Sequence, residues 1–425
     1  MKFSKESLIG NLKGRPIAIW GARMTGIGFS RFARENKFNI VAFVDSDPAF
    51  KSMSIGSIPI YDTNYLKTLK VKYSDLIIVI AVALKEDEIL SILHNNGFGK
   101  DDYLNYTSAV DIYYTIDIVG TCNLKCPSCA WSMDEINYNK GIMSFDYFKL
   151  VTEKMKRETE LITHVSLYSW GEPFLHPKLD LFINHLHELN IATAVSSNLS
   201  IKSSDQIKKI IKASPDYLKI SLSGFYPEAY NATHTGGDIN LVKSNLYRIK
   251  DYIDQYNSDT FVDVNYHLYR NNNGKNLDKM NELCHELGFA LSSTHALVMP
   301  LERVLDHCNG KPDEQTKELY KLLLVNIDEG REITKDFRNQ PCRWLTNQIN
   351  ISWDGSISLC CVGFDQSIYG ISNNYLNISL ENIWNKKNNN PLCDKCLSYG
   401  LPAYNLGYNQ KGWDAIAAQK TSTDI

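Results

Sequence analysis

Three cysteines in one short loop, Cys122, Cys126 and Cys129, have the types and spacing to do chemistry. They directly follow Tyr113–Val119, a stretch with the composition of a strand, and their spacing is C-x-x-x-C-x-x-C. Cysteine thiolates hold iron–sulfur clusters, and four of them close a cubane cluster. Three ligands leave one iron open to a small molecule. A structural zinc knuckle is the alternative, but such sites take four ligands, usually in C-x-x-C pairs. The spacing therefore favours a [4Fe–4S] cluster.

This loop closely resembles the signature of the radical S-adenosylmethionine (SAM) enzymes. The resemblance implies that Cys122, Cys126 and Cys129 hold a [4Fe–4S] cluster, whose open iron is chelated by the amino and carboxylate groups of S-adenosyl-L-methionine. One electron then splits SAM into methionine and a 5′-deoxyadenosyl radical. A flavodoxin- or ferredoxin-type protein is the reductant that the resemblance implies.

A second motif, Ser169–Pro173, follows the strand-like stretch Thr163–Tyr168 and reads Ser-Trp-Gly-Glu-Pro. It resembles the G-G-E-P segment of the same family, with Trp170 in place of the first glycine. A lone Gly-Glu-Pro is also an ordinary turn. Here the motif stands one strand beyond the cysteine loop, as it does in the family. The resemblance therefore implies that Gly171 frees backbone groups near the open iron. It also implies that Glu172 receives the SAM ammonium.

Two further strand ends carry weaker resemblances to the family. The segment Ser196–Leu199 resembles the T-N-G segment near the SAM ribose, which implies cofactor-binding roles for Ser197 and Asn198. The segment Ser221–Gly224 resembles S-x-D-G, with Ser223 at the position of the acid. Serine and asparagine at strand ends are often turn formers. The order of the four matches along the chain favours a SAM pocket.

A second group of cysteines stands near the C-terminus. It resembles the twitch form of the SPASM/twitch extension, because no cysteine follows the last C-x-x-C pair. The resemblance implies one auxiliary [4Fe–4S] cluster with all four irons ligated by protein, and a zinc ribbon on the same residues is the alternative. The four ligands would be Cys342, Cys360, Cys393 and Cys396, and the adjacent Cys361 would be a spare thiol.

Two cysteines and three histidines remain. Cys284 has apolar neighbours on a predicted helix and is expected in the core, whereas Cys308 is expected in a loop. A radical SAM epimerase needs a thiol to return a hydrogen atom to its substrate radical, and Cys308 is the candidate for that role. His267 and His295 follow barrel strands and His234 follows the fourth strand, but none is assigned a catalytic role.

Residues 1–110 are predicted to form a Rossmann-like α/β domain. The strand Pro16–Trp20 leads into the glycine-rich turn Gly21–Gly28 and a helix, and the strand Asn39–Val44 ends at Asp45. Arg23 stands where the middle glycine of G-x-G-x-x-G would let a pyrophosphate approach. The pattern therefore leaves open a dinucleotide, a phosphate bound by Arg23, and a purely structural or docking domain. The segment resembles domains attached to sugar-modifying enzymes.

Residues 111–335 alternate strands with helices, which indicates a parallel sheet with its site at the carboxyl ends of the strands. The family resemblance implies a partial (β/α)6 TIM-type barrel. Strands are predicted at Tyr113–Val119, Thr163–Tyr168, Ala192–Ser196, Leu218–Leu222, Val262–Tyr266 and Ala290–Thr294. Helices are predicted at Phe145–Lys156, Lys178–Leu189, Ser204–Lys212, Asn240–Tyr256 and Leu277–Leu287. Residues 336–425 would be the small twitch-like extension and a tail.

Composition limits the classes of partner. A chain of 425 residues is expected to form two or three domains, and its net charge of −3 gives no reason to expect nucleic acid. The longest apolar run, Leu76–Leu84, has the length of a buried strand and not of a membrane span. Seven of the ten cysteines fall in cluster-like groups, which favours a reducing, cytoplasmic compartment.

Together these features predict an enzyme that cleaves SAM and removes hydrogen from a substrate C–H bond. The Ser-Trp-Gly-Glu-Pro and Leu-Ser-Gly-Phe segments and the N-terminal domain resemble enzymes of surface-polysaccharide and sugar pathways, which favours a sugar or sugar nucleotide as the substrate. An auxiliary cluster beside the substrate would accept the second electron of an oxidation. The alternatives are a radical SAM epimerase, a peptide-modifying enzyme, and a non-catalytic iron–sulfur electron carrier or redox sensor.

Overall fold

The first 109 residues are built around a sheet of the Rossmann type. The computed structural model describes residues 4–82, 86–109, 112–133 and 140–422. The sheet has the order β3-β4-β2-β1-β5-β6, and β4, β2, β1, β5 and β6 are mutually parallel. Its strands are β1 (Pro16–Trp20), β2 (Asn39–Val44), β3 (Ser54–Ile55), β4 (Ile58–Tyr61), β5 (Ile77–Ile80) and β6 (Tyr103–Asn105). Its helices are α1 (Lys5–Leu12), α2 (Met24–Glu35), α3 (Leu66–Lys72), α4 (Glu86–Asn95) and α5 (Tyr106–Ala109).

Six parallel strands in sequential order form the barrel part of the nine-stranded second sheet and confirm the predicted partial barrel. Buried apolar residues on one face of each strand pack against the surrounding helices, as period-2 alternation predicts. The strands are β7 (Tyr113–Ile116), β8 (Val165–Ser166), β9 (Thr193–Ser197), β10 (Tyr217–Leu222), β11 (Phe261–Leu268) and β12 (Ala290–His295). The helices are α6 (Phe145–Glu158), α7 (Leu179–Glu188), α8 (Ser204–Lys212), α9 (Pro227–Asn231), α10 (Ile239–Tyr256) and α11 (Lys275–Leu287).

The remaining chain is mainly helical and rich in cysteine. Its first strand pairs parallel with β7 and so extends the barrel sheet, while the next two strands add antiparallel. The helices are α12 (Leu301–Cys308), α13 (Glu314–Tyr320), α14 (Ile327–Ile333), α15 (Arg343–Asn347), α16 (Gln366–Tyr369), α17 (Leu380–Asn388), α18 (Pro391–Ser398), α19 (Leu401–Asn405) and α20 (Gln410–Ser422). The strands are β13 (Gln348–Ile351), β14 (Ile357–Ser358) and β15 (Gly370–Ser372).

One structural expectation is wrong. Cys308 is the last residue of α12 and not part of a loop, because Leu301, Val304 and Leu305 bury one face of a helix that runs up to it. The helix ends before Gly310, whose φ of +74° suits the turn that follows. The proposed boundary between residues 110 and 111 and the end of the apolar run at Leu84 lie outside the described residues.

The N-terminal sheet packs against the amino-terminal end of the barrel. Phe50 and Phe261 have ring centroids 5.7 Å apart, and Arg31 Nη1 lies 2.9 Å from Asp216 Oδ1. A Cβ added at Gly28 would lie 2.1 Å from the carbonyl oxygen of Thr163, so only glycine allows this approach. The two sheets therefore share an apolar core at this junction. Across the described part of the chain, no helix has the length and apolarity that a bilayer crossing requires.

Candidate functional site

The cysteine loop lies at the carboxyl end of β7, beside the loops that follow the next three strands. Cys129 N donates to the carbonyl of Cys126 at 2.9 Å, and Lys125 N donates to the carbonyl of Thr235 at 2.9 Å. All three cysteines are partly exposed and none is in a disulfide. Burial of the sulfur raises the pKa of the Cys122 thiol to about 12 and also raises the pKa values of Cys126 and Cys129. A metal centre would displace those protons, since the thiolate is the form that binds metals.

Asp117 fixes the Ser-Trp-Gly-Glu-Pro loop against the cysteine loop. Its buried carboxylate accepts from Trp170 N at 3.0 Å and from Gly171 N at 3.2 Å. A Cβ added at Gly171 would lie 1.6 Å from the carbonyl oxygen of Val119, so glycine is required for this close approach. Burial raises the pKa of Asp117 to about 7, although its backbone hydrogen bonds oppose that shift. Sequence reasoning missed Asp117, because nothing in its own segment shows what it contacts.

Glu172 joins two of the loops. Its backbone N donates to the carbonyl of Thr121 at 2.9 Å, which ties it to the start of the cysteine loop. Its carboxylate accepts from Phe174 N at 3.0 Å and from Asn198 N at 2.8 Å. Burial raises the pKa of this carboxyl to about 7. The carboxylate therefore holds the third strand end in place, and its predicted contact with the SAM ammonium stays a prediction.

Asn198 reaches the cysteine loop directly. Its Nδ2 lies 3.6 Å from Cys122 Sγ and donates to Asn123 Oδ1 at 2.9 Å. Ser197 Oγ accepts from Leu199 N at 2.9 Å, where Leu199 has a φ of +54°. A left-handed conformation is rare for a bulky residue, and glycine takes it readily. Leu199, at the third position of the predicted T-N-G-like segment, thus has a conformation that glycine adopts readily.

The fourth predicted segment is more deeply buried. The Ser223 side chain is fully buried, and its hydroxyl lies 2.7 Å from His234 Nδ1 and also contacts the Thr233 hydroxyl. Burial lowers the pKa of His234 to about 4 and that of His267 to about 3, so both rings are neutral near pH 7. His295 lies on the outer side of this region and bonds to Asp414 Oδ1 at 3.0 Å. A SAM contact of the Ser223 hydroxyl stays a prediction.

The inner face of the barrel is polar. On β10 the residues Leu218, Ile220 and Leu222 pack into the core, so Lys219 and Ser221 face the other side. In register with Lys219 and Ser221 stand the polar residues of the neighbouring strands. Their side chains bond to one another: Ser196 Oγ to Ser221 Oγ at 3.3 Å, Asn265 Nδ2 to Ser292 Oγ at 3.1 Å, and His267 Nε2 to Asn265 Oδ1 at 3.1 Å.

Four of the C-terminal cysteines line one apolar cavity. They are Cys342, Cys360, Cys393 and Cys396, the set that the sequence predicted as ligands of one auxiliary cluster. Lys387 is almost fully buried beside them and donates to the carbonyls of Trp344 at 2.7 Å and Gln348 at 2.5 Å. Burial lowers the pKa of Lys387 to about 8, although the neighbouring thiols oppose that shift.

Three cysteines line neither this cavity nor the Cys122–Cys129 loop: Cys284, Cys308 and Cys361. Cys284 is in the barrel core, as predicted, and Cys361 lines a separate polar cavity that Asp117, Trp170 and Cys360 also line. Cys308, the last residue of α12, does not line the apolar cavity. Within the described ranges, no three or more His, Cys, Asp or Glu side chains are arranged around the position of a single ion.

One protein-family model matches most of the barrel. The Radical SAM superfamily model matches residues 116–284, and no curated protein matches the chain. Three similar solved structures are native anSMEcpe with bound AdoMet, SuiB of Streptococcus suis bound to S-adenosylmethionine, and BtrN in complex with AdoMet and 2-DOIA. The first is 16% identical with a TM-score of 0.44, and the alignment covers 73% of this chain and 98% of that chain. The second is 13% identical, with 74% and 78% covered and a TM-score of 0.45. The third is 14% identical, with 68% and 88% covered and a TM-score of 0.38.

The matched segment contains the cysteine loop and all the strand ends that surround it. The family implies a [4Fe–4S] cluster and SAM. The residues present fit that pair of groups, because three cysteines share one loop and a close-packed glycine and an asparagine amide stand beside them. The Radical SAM superfamily model thus matches the part of the chain that holds the candidate site.

Proposed function

We propose that this chain is a radical SAM oxidoreductase that oxidises a sugar or sugar nucleotide. The observation that carries the proposal is the convergence of the cysteine loop, Gly171 and Asn198 at one edge of a barrel whose inner face is polar.

The cysteines and their neighbours would bind and orient the cofactor. Cys122, Cys126 and Cys129 would be the cluster ligands, and Gly171 would present backbone groups to SAM. Asn198 Nδ2 is already close to Cys122 Sγ and would restrain that ligand. When bound, a [4Fe–4S] cluster with SAM supplies the electron and the 5′-deoxyadenosyl radical that removes hydrogen from a C–H bond. A flavodoxin- or ferredoxin-type protein would deliver the electron.

Oxidation requires that the substrate radical lose a second electron and a proton. The cavity of Cys342, Cys360, Cys393 and Cys396 is the place where an acceptor would be held, as an auxiliary [4Fe–4S] cluster in a twitch-type extension. Four thiolates would add negative charge to a buried site, and the Lys387 ammonium would offset part of that charge. Cys360 also lines the polar cavity that reaches Asp117, Ser169 and Trp170, so this cavity connects the C-terminal cysteines with the loop that Asp117 fixes beside the Cys122–Cys129 loop.

The inner face of the barrel favours a substrate rich in hydroxyl groups. Ser196, Ser221, Asn265 and Ser292 offer neutral donors and acceptors, and His267 is neutral near pH 7. Lys219 adds a cation on the same face, with its ammonium 5.3 Å from the ring centre of Tyr168. Hydroxyls and a phosphate group are the substrate features that such a surface would bind.

The cofactor assignment is tested by metal content and SAM cleavage after reconstitution without oxygen. The Cys122→Ala, Cys126→Ala, Cys129→Ala triple variant should keep about four irons per chain and form no 5′-deoxyadenosine. Cys284→Ala is the matched control, because it removes a thiol from the core and should leave both properties unchanged. Near-zero iron in the triple variant would show that Cys342, Cys360, Cys393 and Cys396 hold no iron–sulfur cluster. Release of 5′-deoxyadenosine by the triple variant would overturn the cofactor assignment.

The substrate assignment is tested with sugars and sugar nucleotides deuterated at each carbon in turn. Oxidation predicts deuterium in 5′-deoxyadenosine and a product that has lost two hydrogens. A product that has exchanged its deuterium for one solvent hydrogen, with no further hydrogen lost, would indicate epimerisation, and Cys308→Ala would then be expected to stop turnover. Deuterium transfer from a peptide and from none of the sugars would contradict the sugar assignment.

A further inference from the structure

Helix α12 contacts both cysteine groups through adjacent residues. Glu302 Oε1 accepts from Phe364 N and Asp365 N, each at 2.8 Å, in the loop that follows Cys361. Arg303 Nη1 donates to the carbonyl of Pro127 at 2.8 Å, inside the loop of Cys122–Cys129. Leu301 N donates to the carbonyl of Val362. One helix of eight residues thus holds the two loops in a common position.

Arg303 is a buried cation with an unused donor. Its exposure is 2%, its Nε donates to Thr316 Oγ1 at 2.8 Å, and its Nη1 also donates to the carbonyl of Met299 at 3.2 Å. The nearest carboxylate, Asp313, is 3.8 Å from Nε and half exposed. Nη2 is buried and has no hydrogen-bond partner in the described part of the protein. A buried guanidinium with an unpaired N–H costs free energy, so a strong acceptor at Nη2 would be stabilising.

The guanidinium of Arg303 lies against the cysteine loop. Pro127 lies between Cys126 and Cys129, so the hydrogen bond to its carbonyl brings the guanidinium to the ligand loop. The charges of Arg303 and the Cys129 thiol lie close enough to affect each other. Nη2, on the same planar group as Nη1, is the donor that remains for an acceptor at that loop.

We propose that Arg303 is a positioning residue that holds the Cys122–Cys129 loop and gives its Nη2 hydrogen bond and positive charge to the iron–sulfur site there, which raises its reduction potential. The inference rests on the proposed cofactor. Reduction adds one negative charge to a site that three thiolates already make negative, and a nearby cation stabilises the reduced form more than the oxidised form. Hydrogen bonds to the sulfurs and net charge are known to set such potentials.

The test is a redox titration of the reconstituted full-length protein followed by electron paramagnetic resonance. The signal that changes when SAM is added identifies the site on Cys122, Cys126 and Cys129. Its midpoint potential, measured without SAM, should fall in Arg303→Gln by at least the equivalent of a tenfold change in the one-electron equilibrium, which is about 59 mV. Arg303→Lys keeps the charge and loses the planar fork, so it should show a smaller fall. Arg248→Gln is the matched control, because that guanidinium bonds to Asn245 on α10 at 2.7 Å.

The outcomes separate this inference from the function on which it rests. A SAM-sensitive signal with an unchanged potential in Arg303→Gln would overturn the role of Arg303 and leave the proposed function standing. Equal loss of iron in both Arg303 variants, with the potential of the loaded fraction unchanged, would show a merely structural role and would also overturn it. If the native chain binds no iron at Cys122, Cys126 and Cys129, the proposed function is overturned instead.

Discussion

Replacement of Gly171 by alanine tests the geometry of the candidate SAM loop. The added Cβ would lie 1.6 Å from the carbonyl oxygen of Val119 and 3.1 Å from Asp117 Oδ1, so the loop must move by more than an ångström. That movement breaks the 3.2 Å hydrogen bond from Gly171 N to the Asp117 carboxylate. Overpacking costs about 1–3 kcal/mol, and a hydrogen bond to a charged group contributes about 1.5–3 kcal/mol. We expect Gly171→Ala to lose about 3 kcal/mol of unfolding free energy, together with SAM binding.

Two measurements check this expectation. Urea unfolding of the metal-free chain gives the free energy, and equilibrium dialysis of the reconstituted protein gives the affinity for SAM. Gly10→Ala is the matched control, because a Cβ at Gly10 has open space around it within helix α1. Helix propensity predicts that this control is more stable by up to about 1 kcal/mol. A Gly171→Ala protein with native stability and native SAM affinity would refute the packing argument.

Three further changes test the rest of the site. Asp117→Asn should remove a pH dependence: the folded-state pKa is raised from 3.8 to about 7, so native stability falls as pH rises through that range, by up to about 4 kcal/mol. Urea unfolding should therefore show that the unfolding free energy of the native protein, relative to that of Asp117→Asn, is lower at pH 8 than at pH 5. A difference in unfolding free energy that is the same at both pH values would contradict the raised pKa of Asp117. Asn198→Ala removes side-chain bonds to Asn123 and Cys122, each worth about 1 kcal/mol, so SAM affinity should fall about tenfold while iron content stays native. Cys393→Ala with Cys396→Ala should halve the iron content and leave the SAM-sensitive resonance signal in place, and loss of that signal would contradict two separate sites.

Local patterns were enough to predict most elements of the barrel, although β8 covers only Val165–Ser166 of the predicted Thr163–Tyr168 and helix α9 was not predicted. Helix α8 was predicted at Ser204–Lys212 and is observed there, because its apolar residues recur at helical spacing and Ser203 caps its start. Strand β12 was predicted at Ala290–Thr294 and extends one residue further, to His295. In both cases the signal lies within the segment itself, so neither prediction required knowledge of a distant neighbour.

Residues whose roles depend on distant segments were not predictable. Lys387 resembles any surface lysine of a polar stretch, yet it is buried because Trp344 and Gln348 supply carbonyl acceptors from 43 and 39 residues away. Arg303 bonds to Pro127, which is 176 residues away along the chain. Nothing in the local sequence of either cation distinguishes it from a solvated side chain. A folded barrel is needed to bring these pairs together.

The glycine-rich turn of the N-terminal sheet is accounted for by packing and local bonding. Arg23 Nη2 pairs with Asp47 at 2.6 Å, so that guanidinium already has an anionic partner. The acid at the end of β2, Asp45, accepts from Ala22 N at 2.8 Å and from Asp47 N at 2.9 Å. Gly28 gives the space in which the barrel approaches α2. Each feature that suggested a nucleotide thus has a partner within the protein, so the pattern alone is not evidence for a bound dinucleotide.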